Sequence, residues 1–200
     1  MIFSTPKSED TLRFNDEVKI VTDKLSYSKL FLLESPKYKV ENIEIAPNII
    51  TEEPNIVHFS LHGKKNKGLV FSDRYENASI VNLIEFKNTL DILGGAKIDC
   101  FIFNVCHSNE FAKLASTYAT YAIGMNDLIN EPDAAVAFSE GFYSMLKVVD
   151  NIETAFRAAV NLLYNRRIQL KQADRKEDYK VPELFKNGDL LLDAEILNLK

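Results

Sequence analysis

The sequence predicts an α/β fold in which a mainly parallel β-sheet is covered by helices on both faces. Short β-rich runs alternate along the chain with longer helical runs, the order expected for strands joined by crossover helices. The strand-like runs are almost continuously apolar, as in KIDCFIFNV at 97–105, which is typical of strands buried on both sides. With 7 Gly and 6 Pro in 200 residues, the composition favours long regular elements over a loop-rich scaffold.

Each element is predicted from a local pattern. At 10–28, apolar residues recur at helical spacing and acidic residues lie on the other face. The amphipathic helix predicted at 78–93 ends at Gly94-Gly95, and Pro47 is expected to break the helix or turn region at 39–50. The other predicted elements are strands at 30–33, 55–60, 68–72, 97–105 and 121–124, helices at 109–117, 132–148 and 151–169, and a final 30 residues that form a loop with one apolar element near Leu190.

The charge and the cysteine content of the chain limit the cellular compartments and the binding partners that are expected. The chain has 24 basic and 29 acidic residues and a net charge of −5, so neither nucleic acid nor an anionic membrane is expected as a partner. No apolar run approaches the roughly 18 residues of a membrane-spanning helix, and the N-terminus lacks the features of a secretory signal. Cys100 lies in the strand predicted at 97–105 and Cys106 at its end, so an extended chain keeps the two thiols apart, which favours reduced thiols in the cytoplasm.

Two predicted strands end in residues that can support nucleophilic catalysis. His62-Gly63 follows one strand and Cys106 follows another. Ligands of parallel sheets bind at the carboxyl ends of the strands, so these residues converge if the two strands are neighbours. Cys106 can then act as the nucleophile and His62 as the acid and base, while the backbone N–H groups of Gly63 and Cys106 form an oxyanion hole.

Other interpretations of the same residues remain open at this point. A free cysteine is usually a small buried apolar residue, which is the favoured interpretation of Cys100 and, from the residue alone, of Cys106 as well. His58 lies inside a strand and is expected to be a core histidine, and His107 is expected to point away from Cys106. No convincing metal-ligand spacing and no glycine-rich phosphate loop are present, so neither a metal nor a cofactor is expected.

Five ordered blocks of the sequence resemble the CHAT domains, a family of caspase-like domains. IVHFSLHG at 56–63 resembles the block that ends in the family's histidine and glycine, and NVCHS at 104–108 resembles its cysteine block. The resemblance covers roughly residues 1–165. The three further blocks are LRFNDEV at 12–18, the segment with YAIGMN at 121–126, AAVAF at 134–138 and GFY at 141–143, and IETAFRA at 152–158.

The resemblance implies the fold, the boundaries and the catalytic residues. CHAT domains are similar to caspases, metacaspases and separases, which implies a caspase-like three-layer sandwich and a peptidase domain at 1–170. Residues 171–200 would then complete or flank the same domain. The resemblance assigns His62 as the catalytic histidine and Cys106 as the nucleophile, without an obligatory third carboxylate. Leu61 stands where the family has an additional glycine, a change that leaves this dyad intact.

The resemblance also indicates where the substrate binds. Relatives that cleave after arginine carry an acid two residues before the cysteine or in the loop after the following strand. The matching positions here are Asn104 and Asn126, with Asp127 beside the second. Because both matching residues are neutral, we expect an uncharged or apolar residue before the cleaved bond.

The leading hypothesis is therefore an intracellular cysteine endopeptidase that acts on a protein or peptide. A regulatory protein partner in trans is expected, because the chain holds no evident sensor, and the resemblance suggests bacterial antiviral defence or regulated cell death. The alternative is a non-enzymatic adaptor with a caspase-like fold, although such an adaptor would not need both His62-Gly63 and Cys106. A third interpretation, a flavodoxin-like domain that binds a small ligand, lacks a phosphate loop.

Overall fold

The computed structural model describes residues 1–4, 6, 12, 14–25, 33–34, 42–73, 75–129, 132–169 and 178–198. Most of the strand predicted at 30–33 and both ends of the helix predicted at 10–28 lie outside these residues. The helices and strands of the described residues are β1 (Ile2–Ser4), α1 (Phe14–Lys24), β2 (Leu33–Glu34), α2 (Asn42–Glu52), β3 (Ile56–Lys64), β4 (Gly68–Ser72), β5 (Ala78–Val81), α3 (Leu83–Leu93), β6 (Cys100–Asn104), α4 (Asn109–Ala115), β7 (Tyr121–Met125), α5 (Pro132–Val149), α6 (Ile152–Gln169), β8 (Pro182–Lys186) and β9 (Asp189–Leu192).

One mixed sheet organises these elements, and it confirms the predicted α/β class. The strand order is β2-β1-β3-β6-β7-β8-β9, with parallel pairing from β2 to β7 and antiparallel pairing at β8 and β9. The last residues of β3 turn away from this sheet and pair with the antiparallel β4-β5 hairpin. The central strands β3 and β6 thus end side by side, flanked by β1 and β7.

Helices cover both faces of the sheet and enclose two apolar cores. On one face, residues of α2, α3 and α4 pack on an aromatic cluster in which Phe59 and Phe103 stack at 4.9 Å and Phe86 meets both edge-on. On the other face, α1, α5 and α6 cover Cys100 and Ile102. The alternation of side chains along β6 explains this division, because successive residues point to opposite faces.

The prediction of a helix at 78–93 is wrong for its first residues. Residues 78–81 form the strand β5, which pairs with β4, and the helix begins only after Asn82. Asn82 accepts hydrogen bonds from the backbone N–H groups of Ile84 and Glu85, and the Glu85 carboxylate accepts from the Asn82 N–H. This capping box fixes the start of α3 and leaves the β-branched residues before it free to join the hairpin.

Two other predicted elements also differ from the structure. Helix α2 continues through Pro47, which costs a backbone hydrogen bond, and the burial of Ile45, Ala46 and Ile49 offsets this cost. Among the described residues 178–198, the apolar element predicted near Leu190 is strand β9, and residues 182–186 form a second strand, not predicted, that pairs antiparallel with β7. These strands depend on pairing partners that are distant in sequence, which a local pattern does not reveal.

Candidate active site

The register between β3 and β6 brings His62 and Cys106 to the same edge of the sheet. The two strands run parallel, with Ser60 opposite Asn104 at the last paired position. His62 and Cys106 each follow two residues later, so both lie just beyond this last paired position, at the carboxyl edge of the sheet. The predicted convergence of the two strand ends thus agrees with the observed topology.

Gly63 is the point at which these two strand ends touch. A Cβ atom added to Gly63 would lie 1.8 Å from the Cys106 carbonyl oxygen and 2.9 Å from Val105 Cγ1. No side chain fits at such distances, so only glycine allows the backbone after His62 to pack against the backbone of Cys106. This contact brings the backbones of Gly63 and Cys106, the two predicted oxyanion donors, into direct proximity.

Cys106 lies in a tight turn whose shape is fixed by Ser108. The Ser108 hydroxyl donates to the Val105 carbonyl at 2.6 Å and accepts from the backbone N–H of Met125 at 3.0 Å. His107, between the two, has a φ of 54° in the left-handed region, and its Nδ1 lies 3.8 Å from Oδ1 of Asp127. The turn places the half-buried Cys106 thiol just after the carboxyl end of β6.

The environment of Cys106 favours the neutral thiol. Burial raises the pKa of Cys106, and the negative charges of Asp127 and Asp178 raise it further. The backbone N–H of Ile129, which donates to Sγ at 3.3 Å, opposes this effect without reversing it. Formation of the thiolate at neutral pH therefore needs a base, which is the role predicted for His62.

The other thiol of the chain has no access to a reactant. Cys100 is 0% exposed in the core below α5 and α6, and burial raises its pKa far above that of an ordinary thiol. This agrees with its interpretation as a small buried apolar residue. Cys100 and Cys106 are both free thiols, as the sequence predicts.

The structure separates the three predicted substrate-binding residues into two environments. Asn104 is buried, and its Nδ2 group donates to Glu17 Oε1 at 2.6 Å and to the Ala135 carbonyl at 3.0 Å. Asn126 and Asp127 lie in the exposed loop after β7, where Asn126 Nδ2 donates to Oε1 of Glu183 at 2.9 Å. Asn104 is therefore an interior residue two positions before Cys106, and the other two belong to the exposed loop after β7, called the rim below.

A buried carboxylate beneath this edge was not predicted. Glu17 of α1 is only 2% exposed, and it accepts hydrogen bonds from the Ser60 hydroxyl at 2.6 Å, from Asn104 and from the Ser139 hydroxyl. His58 Nε2 lies 3.1 Å from Glu17 Oε1. Burial alone would raise the pKa of Glu17, but the charge of His58 and the hydrogen bonds from His58, Ser139 and Ser60 outweigh it and lower the pKa.

His58 has the position expected of a core histidine. It is buried, and its Nδ1 lies 2.8 Å from the Tyr143 hydroxyl, which belongs to α5.

Within the described parts of the chain, no three His, Cys, Asp or Glu side chains are grouped so as to hold a metal ion. No helix in the same residues is both long enough and apolar enough to cross a membrane.

Two curated proteins are similar to this chain over almost its whole length. A Roc-COR-CHAT protease from an unknown prokaryotic organism is 26% identical over 197 residues, which cover 94% of this chain and 18% of that protein. The resemblance to CHAT domains is confirmed. A probable protease of Gillisia limnaea is 23% identical over 203 residues, covering 94% of this chain and 34% of that protein. No protein-family model matches the chain.

A solved structure shares the fold. A secreted C11 cysteine protease from Bacteroides thetaiotaomicron, in complex with an irreversible peptide inhibitor, superposes with a TM-score of 0.62 at 14% identity. The alignment covers 93% of this chain and 65% of that chain. The predicted caspase-like α/β sandwich is therefore confirmed. The chain spans about a fifth and a third of the lengths of the two curated relatives, both of which are named as proteases.

Proposed function

We propose that the chain is a caspase-like cysteine endopeptidase in which Cys106 is the nucleophile and His62 the acid and base. The observation that carries the proposal is the contact of Gly63 with the Cys106 carbonyl, because it brings the histidine strand and the cysteine turn together at the carboxyl edge of the sheet. The similarity to two proteases and the fold shared with a cysteine protease support the same reaction class.

The reaction follows from these positions. When a peptide binds, His62 takes the proton of the Cys106 thiol, and the thiolate forms a bond to the scissile carbonyl carbon. The backbone N–H groups of Gly63 and Cys106 stabilise the oxyanion of the tetrahedral intermediate. The carbon–nitrogen bond then breaks, and His62 returns its proton to the leaving amine. Water hydrolyses the remaining thioester, which releases the acid and restores the thiol.

The raised pKa of Cys106 fits this order of events. A thiol that is neutral in the free protein becomes nucleophilic only when His62 can accept its proton. A bound peptide would exclude water and complete that geometry. Without substrate, only a small fraction of Cys106 would be thiolate, so it would react slowly with electrophiles, at a rate that still depends on His62.

The substrate-binding role of Asn104, Asn126 and Asp127 is part of the proposal. Asn104 is buried two residues before Cys106 and would act from beneath the site, whereas Asn126 and Asp127 follow β7 in an exposed loop, where a substrate side chain would contact them. Asn104 and Asn126 carry no charge, which supports an uncharged or apolar residue before the cleaved bond. The loop residue Asp127 adds a negative charge at the rim.

The biological setting is proposed from the resemblance. Both curated relatives contain sequence beyond the part that matches this chain, which supports control of the peptidase by further protein, and a regulatory protein partner is part of the proposal. We propose a cytoplasmic enzyme of bacterial antiviral defence or regulated cell death. Its activity would be measured with and without candidate partners.

Mapping of new protein N-termini in a lysate tests the proposed activity. Wild type, Cys106→Ala and the matched control Cys100→Ala are compared, since both substitutions remove a thiol and only Cys106 lies at the proposed site. New N-termini should appear with wild type and Cys100→Ala and be absent with Cys106→Ala and His62→Ala. Cleavage that persists at the wild-type rate in Cys106→Ala would exclude Cys106 as the nucleophile.

The raised pKa of Cys106 is also the observation that favours the alternative, a non-enzymatic adaptor. An adaptor would show no turnover with any substrate or partner, and replacement of His62 would leave the alkylation rate of Cys106 unchanged. In a peptidase, that rate depends on His62 because the histidine promotes thiolate formation. Iodoacetamide labelling of wild type and His62→Ala, followed by mass spectrometry, separates the two functions.

A further inference from the structure

The Glu17 cluster is a buried polar group that the proposed reaction does not use. We define it as Glu17, its hydrogen-bond donors Ser60, Asn104 and Ser139, and the adjacent His58. The donors come from three different elements, β3, β6 and α5, and converge on a carboxylate supplied by α1. Four separate elements are thus joined at one side chain in the interior.

The cluster lies directly beneath the proposed dyad. Ser60 is two residues before His62 on one strand, and Asn104 is two residues before Cys106 on the next. Two residues of extended chain span about 6.6 Å at most, so the backbone positions of His62 and Cys106 lie within that distance of the donors Ser60 and Asn104. Glu17 accepts from Ser60 through Oε2 and from Asn104 through Oε1, so one carboxylate holds both strands immediately before the reacting residues.

Packing alone does not account for a charge at this position. Removal of a carboxylate from water is costly, and apolar residues of similar volume often stabilise an interior as well as a buried ionic group does. Hydrogen bonds to a charged acceptor are, however, short and directional. They specify the relative position of the groups they join more sharply than non-directional apolar contacts do.

We propose that Glu17 is a positioning residue that sets the placement of His62 relative to Cys106 by holding Ser60 and Asn104. The inference rests on the proposed dyad and extends it to a residue that touches neither the substrate nor the reacting atoms. Loss of the carboxylate would let the ends of β3 and β6 shift against each other. A displacement of about 1 Å in a catalytic geometry lowers turnover by about a hundredfold.

The test compares Glu17→Gln and Ser60→Ala with the control Thr89→Ala. Thr89 is also a buried hydroxyl, but it donates to the Glu85 carbonyl within α3, on the other face of the sheet. The measurements are kcat and KM on a peptide taken from a mapped cleavage site, the melting temperature, and the rate at which iodoacetamide labels Cys106.

Glu17→Gln should lower kcat by about a hundredfold, with a much smaller change in KM, and should slow the labelling of Cys106. Ser60→Ala should lower kcat by about tenfold, because Asn104 still holds the carboxylate. Thr89→Ala should lower the melting temperature and leave kcat within about twofold of wild type. If Glu17→Gln does not fold, the contrast between Ser60→Ala and Thr89→Ala decides the question.

Failure of the proposed function and failure of this inference give different results. If the labelling rate of Cys106 does not depend on His62, the dyad itself is wrong. If that rate depends on His62 while Glu17→Gln, or Ser60→Ala where the first variant is unfolded, leaves both labelling and kcat unchanged, only the positioning role is overturned. A fall in kcat no larger than that of Thr89→Ala would likewise overturn it.

Discussion

Replacement of Gly63 by alanine tests the contact on which the site is built. The added Cβ would lie 1.8 Å from the Cys106 carbonyl oxygen and 3.0 Å from the Cys106 carbonyl carbon. Non-bonded carbon and oxygen atoms do not approach below about 3 Å, so the two strand ends must separate by about 1.2 Å to accept the methyl group. The atoms that would have to move are backbone atoms, and no side-chain rotation relieves the contact.

The expected result is a large loss of activity with a moderate loss of stability. A shift of this size displaces Cys106 relative to His62 and both predicted oxyanion donors, so kcat/KM should fall by at least about a hundredfold. Overpacking of this kind costs about 1–3 kcal/mol of unfolding free energy. The assay is peptide cleavage at a temperature where the variant is fully folded, with thermal unfolding followed by circular dichroism.

Gly141→Ala is the matched control. Its Cβ would lie 2.7 Å from Ala159 Cα, so the same methyl group is forced into a tight contact between α5 and α6, on the side of α5 roughly opposite Ser139 of the Glu17 cluster. It should destabilise the protein while the folded fraction keeps its kcat. Full activity in Gly63→Ala, or an equal loss of kcat in both variants, would refute the assignment of the site to the contact between Gly63 and Cys106.

Three further predictions follow from titratable groups and from a helix cap. The folded-state pKa of Glu17 lies below the unfolded value of about 4.3, so the ionised carboxylate stabilises the fold above about pH 4.3, and this stabilisation is lost as the pH falls through the folded pKa. Urea unfolding measured between pH 7 and pH 3 should show the loss of stability. In Glu17→Gln, which has no carboxylate at this position, the loss of stability with falling pH should be smaller. Without substrate, the labelling of Cys106 by iodoacetamide should increase with pH to a midpoint above the ordinary thiol value of about 8.5, while Cys100 should react only after unfolding; a midpoint below 7 would contradict the neutral resting thiol. Asn82→Ala should cost about 1 kcal/mol of unfolding free energy by removing the cap of α3 and should leave kcat unchanged, since α3 contacts the other face of the sheet; an unchanged melting temperature would contradict the capping role.

Local sequence patterns predict most of this fold because most of its strands and helices have a recognisable spacing of apolar residues. The apolar run before Cys106 and the amphipathic runs of α5 and α6 are long enough for their type and order to be unambiguous. The exceptions are elements whose identity depends on distant partners. Strand β5 continues without interruption into an apolar helical run, and only the hairpin with β4 and the cap at Asn82 separate the two.

The residues of the candidate site likewise divide into those that local patterns predict and one that they miss. His62, Gly63 and Cys106 were predicted because each stands at the end of a recognisable strand, and parallel strands end at a common edge. Glu17 was missed because acidic residues on an amphipathic helix are expected on its solvated face. Its donors Ser60, Asn104 and Ser139 lie 43, 87 and 122 residues away, so no local pattern connects them to the carboxylate.

The two electrostatic features of this edge have opposite effects on the proposed reaction. The Glu17 carboxylate is ionised and fully engaged in the interior, so it fixes the backbone below the dyad before any substrate arrives. The Cys106 thiol above it is held neutral by burial and by Asp127 and Asp178, so its chemistry is not ready in advance. In a dyad at this edge, the backbone positions would thus be fixed before substrate binds, while the nucleophilic thiol would still be protonated. In such an arrangement, a regulatory partner that rearranges the rim around Asp127 would change the ionisation of Cys106 without having to rebuild the positions of the strands.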